Sequence, residues 1–145
     1  MSSSLSKIIK NANRSLIASG NLKAVPKYFS PDYSVHLTGK KLVGGHSAVE
    51  STPSALLSAF SNIEIKVEVL LEGADRIAWQ RTMTAVHSGA FKGFPGSGRK
   101  LVWRDMVVSQ FNEELIEQEW VSTDLAEQLL LSRKNPKLPG IEGRS

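Results

Sequence analysis

The sequence predicts an α+β domain. The first 60 residues carry apolar residues at helical spacing. The next 60 alternate apolar and polar residues with period two. The chain has 145 residues, enough for one domain that buries roughly two-thirds of its unfolded surface. Helices first and an antiparallel meander of long strands after them make an α+β pattern, and a curved sheet with helices closing its concave face would form one pocket. The domain is expected to span residues 1–131.

Each element has its own signal. Leu5, Ile8, Ile9, Ala12, Leu16 and Ile17 share one helical face, Ser3 or Ser4 can cap its start, and Gly20 follows its end. Leu22, Val25, Tyr28 and Phe29 predict a short second helix, with Pro26 tolerated only in its first turn. Residues 33–38 read as a strand, Gly39, Lys40 and Lys41 as a turn, and Gly44-Gly45 as a break. Residues 47–60 read as a third helix interrupted by Pro53. Ile63, Ile65, Val67, Val69 and Leu71 then fall on one face of a strand over 63–72. Gly73, Ala74 and Asp75 turn the chain into a strand over 76–87. A loop holding Gly89, Gly93, Pro95, Gly96 and Gly98 leads to a strand over 100–111. Asn112, Glu113 and Glu114 make a tight turn into the last strand, 115–122, and a short helix over 124–131 closes the domain.

Composition excludes several classes. The formal charge is +4, but residues 132–145 carry +3 of it, so the remainder is nearly neutral and nucleic acid is not expected as a partner. Residues 132–139 read as a flexible basic tail. Ile141-Glu142-Gly143-Arg144 resembles an engineered factor Xa cleavage site, so residues 140–145 are set apart from the fold. There is no cysteine, which removes disulfides and thiolate chemistry. No apolar run of about 18 residues suggests a membrane span, and no signal peptide is legible at Met1, so a cytoplasmic protein is expected. The three histidines lack a short ligand spacing, and no metal is expected.

The candidate chemistry lies on strand faces. Ile77, Trp79, Arg81, Met83, Ala85 and His87 share a face, so an arginine and a histidine stand among apolar residues. A charge there needs a ligand, or an acidic partner such as Glu119 or Asp105. On the last strand Ile116, Gln118, Trp120 and Ser122 share one face, and the mixture at Gln118 and Trp120 suits a pocket wall. Glu117, Glu119 and Val121 fall on the other face, where the acids read as solvated or paired. Asp124 with Glu127 three residues later fits a helix cap; equally, Asp124 could serve as a general base at the end of a strand.

Residues 60–131 resemble the SnoaL-like polyketide cyclase family of the NTF2-like superfamily. The matching pieces are the run from Glu72 to Arg81, the segment from Val86 to Arg99 with His87, Gly89, Phe91, Gly93, Pro95 and Gly98, the pair Glu119-Trp120, and Asp124 four residues beyond Trp120. The segment from Phe29 to His36 also looks like the start of the family's first strand. The sequence departs from the family pattern at Ala85-Val86, Gln118 and Glu119. The resemblance implies an α+β cone, a strongly curved antiparallel sheet with three to four helices closing an apolar pocket, which binds a small hydrophobic or polyketide-like molecule with no metal or cofactor. It implies acid/base chemistry on a carbon acid, an aldol cyclisation or isomerisation, with Asp124 as base; together with the polar groups on apolar strand faces it puts His87 and Arg81 at the oxyanion. Trp79, Trp103, Trp120, Gln118, His36, Tyr33, Phe60 and Met83 would contact the substrate. Two alternatives stand beside it: a non-catalytic binder of the same fold, and a dimeric assembly module whose cone is filled by side chains. An apolar sheet face suggests a homodimer.

Overall fold

A computed structural model describes residues 4–37 and 39–133. Thr38, assigned above to the end of the first strand, and residues 134–145, which hold most of the tail and the factor Xa-like segment, lie outside the described residues.

Helix α1, Leu5–Asn13, starts where the Ser4 side chain accepts the Lys7 N–H. Its first turn is also held by Glu72, whose carboxylate accepts from the Leu5 N–H and the Ser6 hydroxyl. A carboxylate at a helix N-terminus meets unpaired N–H groups and the positive end of the dipole. A π-helical turn, Arg14–Ala18, continues the apolar stripe to Leu16 and Ile17. A short 3₁₀ turn, Leu22–Ala24, leads into α2, Val25–Tyr28, with Pro26 in its first turn.

Strand β1, Phe29–Leu37, begins earlier than its sequence pattern suggests, because Phe29 already has extended backbone at the end of α2. The expected turn at Lys40-Lys41 is instead the start of a short strand β2, Lys40–Val43, paired with β1. Helix α3, Gly45–Ala59, accommodates Pro53 in its interior. Gly45 has φ +57, and a Cβ there would stand 2.4 Å from the Pro31 carbonyl oxygen, so only glycine lets α3 start against β1. Strands β3 (Phe60–Glu72), β4 (Arg76–His87), β5 (Lys100–Asn112) and β6 (Leu115–Thr123) form the meander, and α4, Leu125–Leu131, follows.

The sheet order is β2-β1-β6-β5-β4-β3. It is curved and unclosed. It is also mixed: β1 runs parallel to β6, while the other pairs are antiparallel. The antiparallel meander is β3–β6, and β1 departs from it by pairing parallel with β6. Period-two alternation reports which side chains share a face, but not the direction of a strand far away in sequence. Helices α1, α3 and α4 contact the sheet, and Ile9, Leu16, Leu56, Trp103, Ile116 and Leu129 belong to one buried cluster.

Two bulges change which residues face inward. In β3, Val69 opposes Trp79 but Leu71 opposes Ala78, so Leu70 is the extra residue. Leu71 therefore leaves the inner face that it was expected to share with Val69, and it is exposed. In β6, Ile116 opposes Phe111 while Gln118 opposes Gln110, which makes Glu117 the extra residue. Ile116 and Glu119 are consequently both buried, and Gln118 and Trp120 fall on the outer face. Simple alternation from Ile116 predicts the reverse.

Candidate active site

A cavity of about 380 Å³ opens between the concave face of the sheet and the helices. Its wall is mostly apolar, with Ile9, Leu16, Val49, Leu56, Phe91, Val107 and Leu129 among its residues.

Two polar groups cross this wall. The first centres on Arg81. Its Nε donates to Asp105 Oδ2 at 2.9 Å, a second guanidinium nitrogen lies 2.7 Å from the same oxygen, and a third atom, Nη1, donates to Asn13 Oδ1 at 2.7 Å. Residues 81 and 105 stand directly opposite each other on β4 and β5, so the ladder itself brings the charges together. Asn13 is oriented in turn, because its Nδ2 donates to the Ile9 carbonyl. The Arg81 side chain also lies over Trp79, 5.4 Å from the ring centroid. The second group is a chain of hydrogen bonds from strand to strand. Trp79 Nε1 donates to Ser109 Oγ at 3.0 Å, Ser109 donates to Glu119 Oε2, and the Tyr33 hydroxyl donates to Glu119 Oε1 at 2.7 Å.

Burial governs the charge of Glu119. It pushes the carboxyl above the ordinary carboxylate range; donation from Ser109 and Tyr33, and the positive Arg81, pull it back without cancelling the rise. Burial likewise raises the Tyr33 hydroxyl, and the neighbouring Glu119 raises it further. Tyr33 therefore stays protonated and donates. A carboxyl shifted upward in an apolar cavity can exchange a proton with a bound molecule under mild conditions.

Apart from Asp124, the candidate site residues named from the sequence divide between three places. Tyr33, Trp79, Arg81 and Trp103 line the cavity. His36, Gln118 and Trp120 stand together on the outer face: the His36 and Trp120 rings stack at 4.9 Å, and His36 Nε2 lies 2.7 Å from Gln118 Oε1. The bulge in β6 accounts for the two residues of that strand, and His36 points outward because Tyr33, Val35 and Leu37 point inward. Phe60, Met83 and His87 are buried without reaching the cavity. His87 is 1% exposed, stacks on Phe60 at 5.0 Å, and has no hydrogen-bond partner on either ring nitrogen among the described residues.

Asp124 is also not part of the cavity wall. Its Oδ1 accepts the Arg104 N–H at 2.7 Å, while its own N–H donates to the Arg104 carbonyl. The side chain thus takes the place of the next carbonyl in the β5–β6 ladder. Nor does it cap α4: the side chain makes no cap bond, and Thr123 Oγ1 accepts the Leu125 N–H instead.

Asn13, Asp105 and Glu119 were not singled out as ligand contacts. Asn13 had a signal, because it lies four residues after Ile9 on the apolar stripe of α1. Asp105 and Glu119 were foreshadowed only as partners that a buried Arg81 would need.

Among the described residues, no helix is long and apolar enough to cross a membrane. Among them, no three histidine or carboxylate side chains are grouped to hold a metal ion.

The model of the SnoaL-like polyketide cyclase family matches residues 7–130. No curated protein matches the chain in sequence. Among solved structures, a protein of Acidithiobacillus ferrooxidans assigned as a polyketide cyclase is similar with a TM-score of 0.79 and 24% identity, covering 92% of this chain and 99% of that one. AclR of Streptomyces galilaeus, assigned as a hydroxylase, has a TM-score of 0.75 and 20% identity over 88% of this chain and 92% of its own. An NTF2-like protein of unknown function from Burkholderia pseudomallei has a TM-score of 0.69 and 15% identity over 92% of this chain and 100% of its own. At these identities the structures show a shared fold and no more. The family match covers most of the chain, and the protein belongs to the SnoaL-like polyketide cyclase family.

Proposed function

We propose that the cavity binds a small, largely apolar molecule and moves a proton on it, with Glu119 as the acid/base group. The observation that carries this reading is a buried carboxyl, raised by burial and held by two donors, in the wall of an otherwise apolar cavity. In its ionised form Glu119 takes a proton from a carbon acid. Once protonated it no longer needs both donors, so the Tyr33 hydroxyl can turn toward the enolate oxygen that forms. The enolate then adds to a carbonyl of the same molecule or is reprotonated, giving cyclisation or isomerisation. Arg81 and Trp79 shape the cavity around that oxygen. We place the base role on Glu119 rather than on Asp124, whose carboxylate completes the sheet ladder.

The test is hydrogen–deuterium exchange at the acidic carbon of an aryl β-keto ester in D₂O, followed by NMR. The wild-type protein is expected to accelerate exchange over buffer and Glu119→Gln is not. Equal rates for protein and buffer would sink the reading.

One observation favours a second reading, a binder without catalysis. Arg81, Asp105, Asn13, Glu119 and Tyr33 are already hydrogen-bonded to one another or to neighbouring protein groups. A probe that quenches tryptophan fluorescence yet exchanges no faster than in buffer would support it.

We also propose that the outer sheet face meets a second copy of the chain. Val102 and Met106 are exposed there, and a shallow groove runs over Leu70, Ala78, Met106 and Trp120. A solvated sheet face would carry mainly polar residues. Sedimentation is expected to give a dimer at micromolar concentration; a monomer would count against this.

A further inference from the structure

The loop between β4 and β5 sends one turn to the cavity mouth. Phe91 and Phe94 exchange both backbone hydrogen bonds, at 2.8 Å each, around Lys92 and Gly93. Lys92 has φ +46 and Gly93 φ +87. Positive φ at both central positions defines a type I′ turn, for which asparagine followed by glycine is the least strained pair. A lysine in the left-handed region is disfavoured there by its own side chain. Gly96 keeps the loop folded back on its base, since a Cβ there would stand 2.7 Å from the Ser88 carbonyl oxygen.

The turn delivers three residues to the cavity: Phe91, Lys92 and Phe94. Lys92 is exposed as well, which puts it where the cavity meets solvent. Its Nζ lies over the Phe91 ring, 5.8 Å from the centroid, so the ammonium group rests against the aromatic part of the wall. Among the described residues, the other charges of the wall are spoken for. Arg81 and Asp105 neutralise each other, and Glu119 is held by its two donors. Among the described residues, Lys92 makes no salt bridge. Among the described residues of the wall, Lys92 is the cation without an acidic partner, and an apolar cavity with such a cation at its mouth matches a molecule with an apolar body and one anionic end.

We propose that Lys92 makes the cavity selective for apolar molecules that carry a carboxylate at the end left facing the mouth. This rests on the reading that the cavity binds small apolar molecules. A carboxylate seated there meets the ammonium group at the surface, while the body displaces water inside.

The probes are anthraquinone-2-carboxylate and anthraquinone-2-carboxamide, which share a body and differ in charge. Trp79 and Trp103 line the cavity, so quenching of tryptophan fluorescence reports occupancy. Wild type is expected to bind the carboxylate about fivefold more tightly than the amide, the size of one well-placed surface ion pair. High salt should shrink that ratio. Lys92→Asn should bring it near one while melting no lower than wild type, because asparagine suits the turn. Lys92→Arg should restore it. Equal binding of the two probes by wild type, or a ratio unchanged in Lys92→Asn, overturns the selectivity alone. Failure of both probes to bind overturns the cavity reading and this inference with it.

Discussion

The Tyr33 hydroxyl and Glu119 Oε1 are 2.7 Å apart and join β1 to β6. The bond depends on two features of the fold. Strands β1 and β6 must lie side by side, and the extra residue Glu117 must turn Glu119 inward. Without the bulge, Gln118 would face the cavity and the carboxyl would face solvent.

The inward position of Glu119 makes stability depend on pH. Its carboxyl is raised in the fold, so the native chain holds that proton more tightly than the unfolded chain. Between the unfolded value, about 4.3, and the higher folded value, the native state binds more protons, and stability falls as pH rises. Glu119→Gln should remove this slope. Its amide can still accept from Tyr33, and it carries no charge to desolvate. The variant is expected to melt above wild type at neutral pH and to converge with it below about pH 4. A thermal melt across pH checks this, and a variant that melts lower at neutral pH would contradict the direction assigned to the carboxyl.

The pair of Arg81 and Asp105 obeys a different rule, because both partners are charged and both are largely buried. Arg81→Met should cost about 3–5 kcal/mol, since Asp105 is left as a buried charge without a partner. Asn13 also loses its donor. The double variant Arg81→Met with Asp105→Leu should recover most of that loss. Urea denaturation of the two variants gives the comparison. A double variant as unstable as the single one would mean that the pair itself, and not the orphaned acid, carries the stability.

How much of this was legible depends on whether a signal is local. The inner face of β4 alternates without interruption, so Trp79, Arg81, Met83 and His87 could be assigned to one face from spacing alone. The need for an acid near Arg81 followed from the cost of burying a charge. The inner face of β6 could not be read this way. Two residues of that strand oppose one of β5 at Glu117, and this depends on packing against a partner strand. The direction of β1 against β6 is equally non-local. Asp124 shows the limit of a motif: its spacing after Trp120 matches the family, but where its carboxylate ends up depends on the Arg104 N–H.

Asp124 and Glu119 can be separated by paired substitutions. Asp124→Asn keeps an oxygen for the Arg104 N–H and should retain exchange activity within about twofold, since its side chain contributes a ladder bond. Asp124→Ala removes the acceptor and should cost about 1 kcal/mol of stability. Glu119→Gln should lower the exchange rate about 10²-fold or more while keeping the melt at or above wild type. Loss of exchange in Asp124→Asn with a normal melt, and retained exchange in Glu119→Gln, would return the base role to Asp124.

His87 makes the last case, because its ring is buried, stacked on Phe60 and unpartnered at both nitrogens among the described residues. Phe60 itself packs against Trp103 at 4.9 Å and Phe91 at 5.6 Å, so His87 sits at the edge of an aromatic cluster. A buried polar atom without a partner costs about 1–3 kcal/mol, and packing alone does not repay it. Replacing the ring by an apolar one of similar shape removes that cost and keeps the stack. His87→Phe is therefore expected to melt at or above the wild-type temperature and to retain exchange activity. His87→Ala should melt lower by about 2 kcal/mol or more, since it leaves a hole beside Phe60. A His87→Phe variant that folds with an unchanged melt but has lost exchange would place His87 in the chemistry after all. One that melts far below wild type would show that a ring nitrogen makes a bond the native state needs.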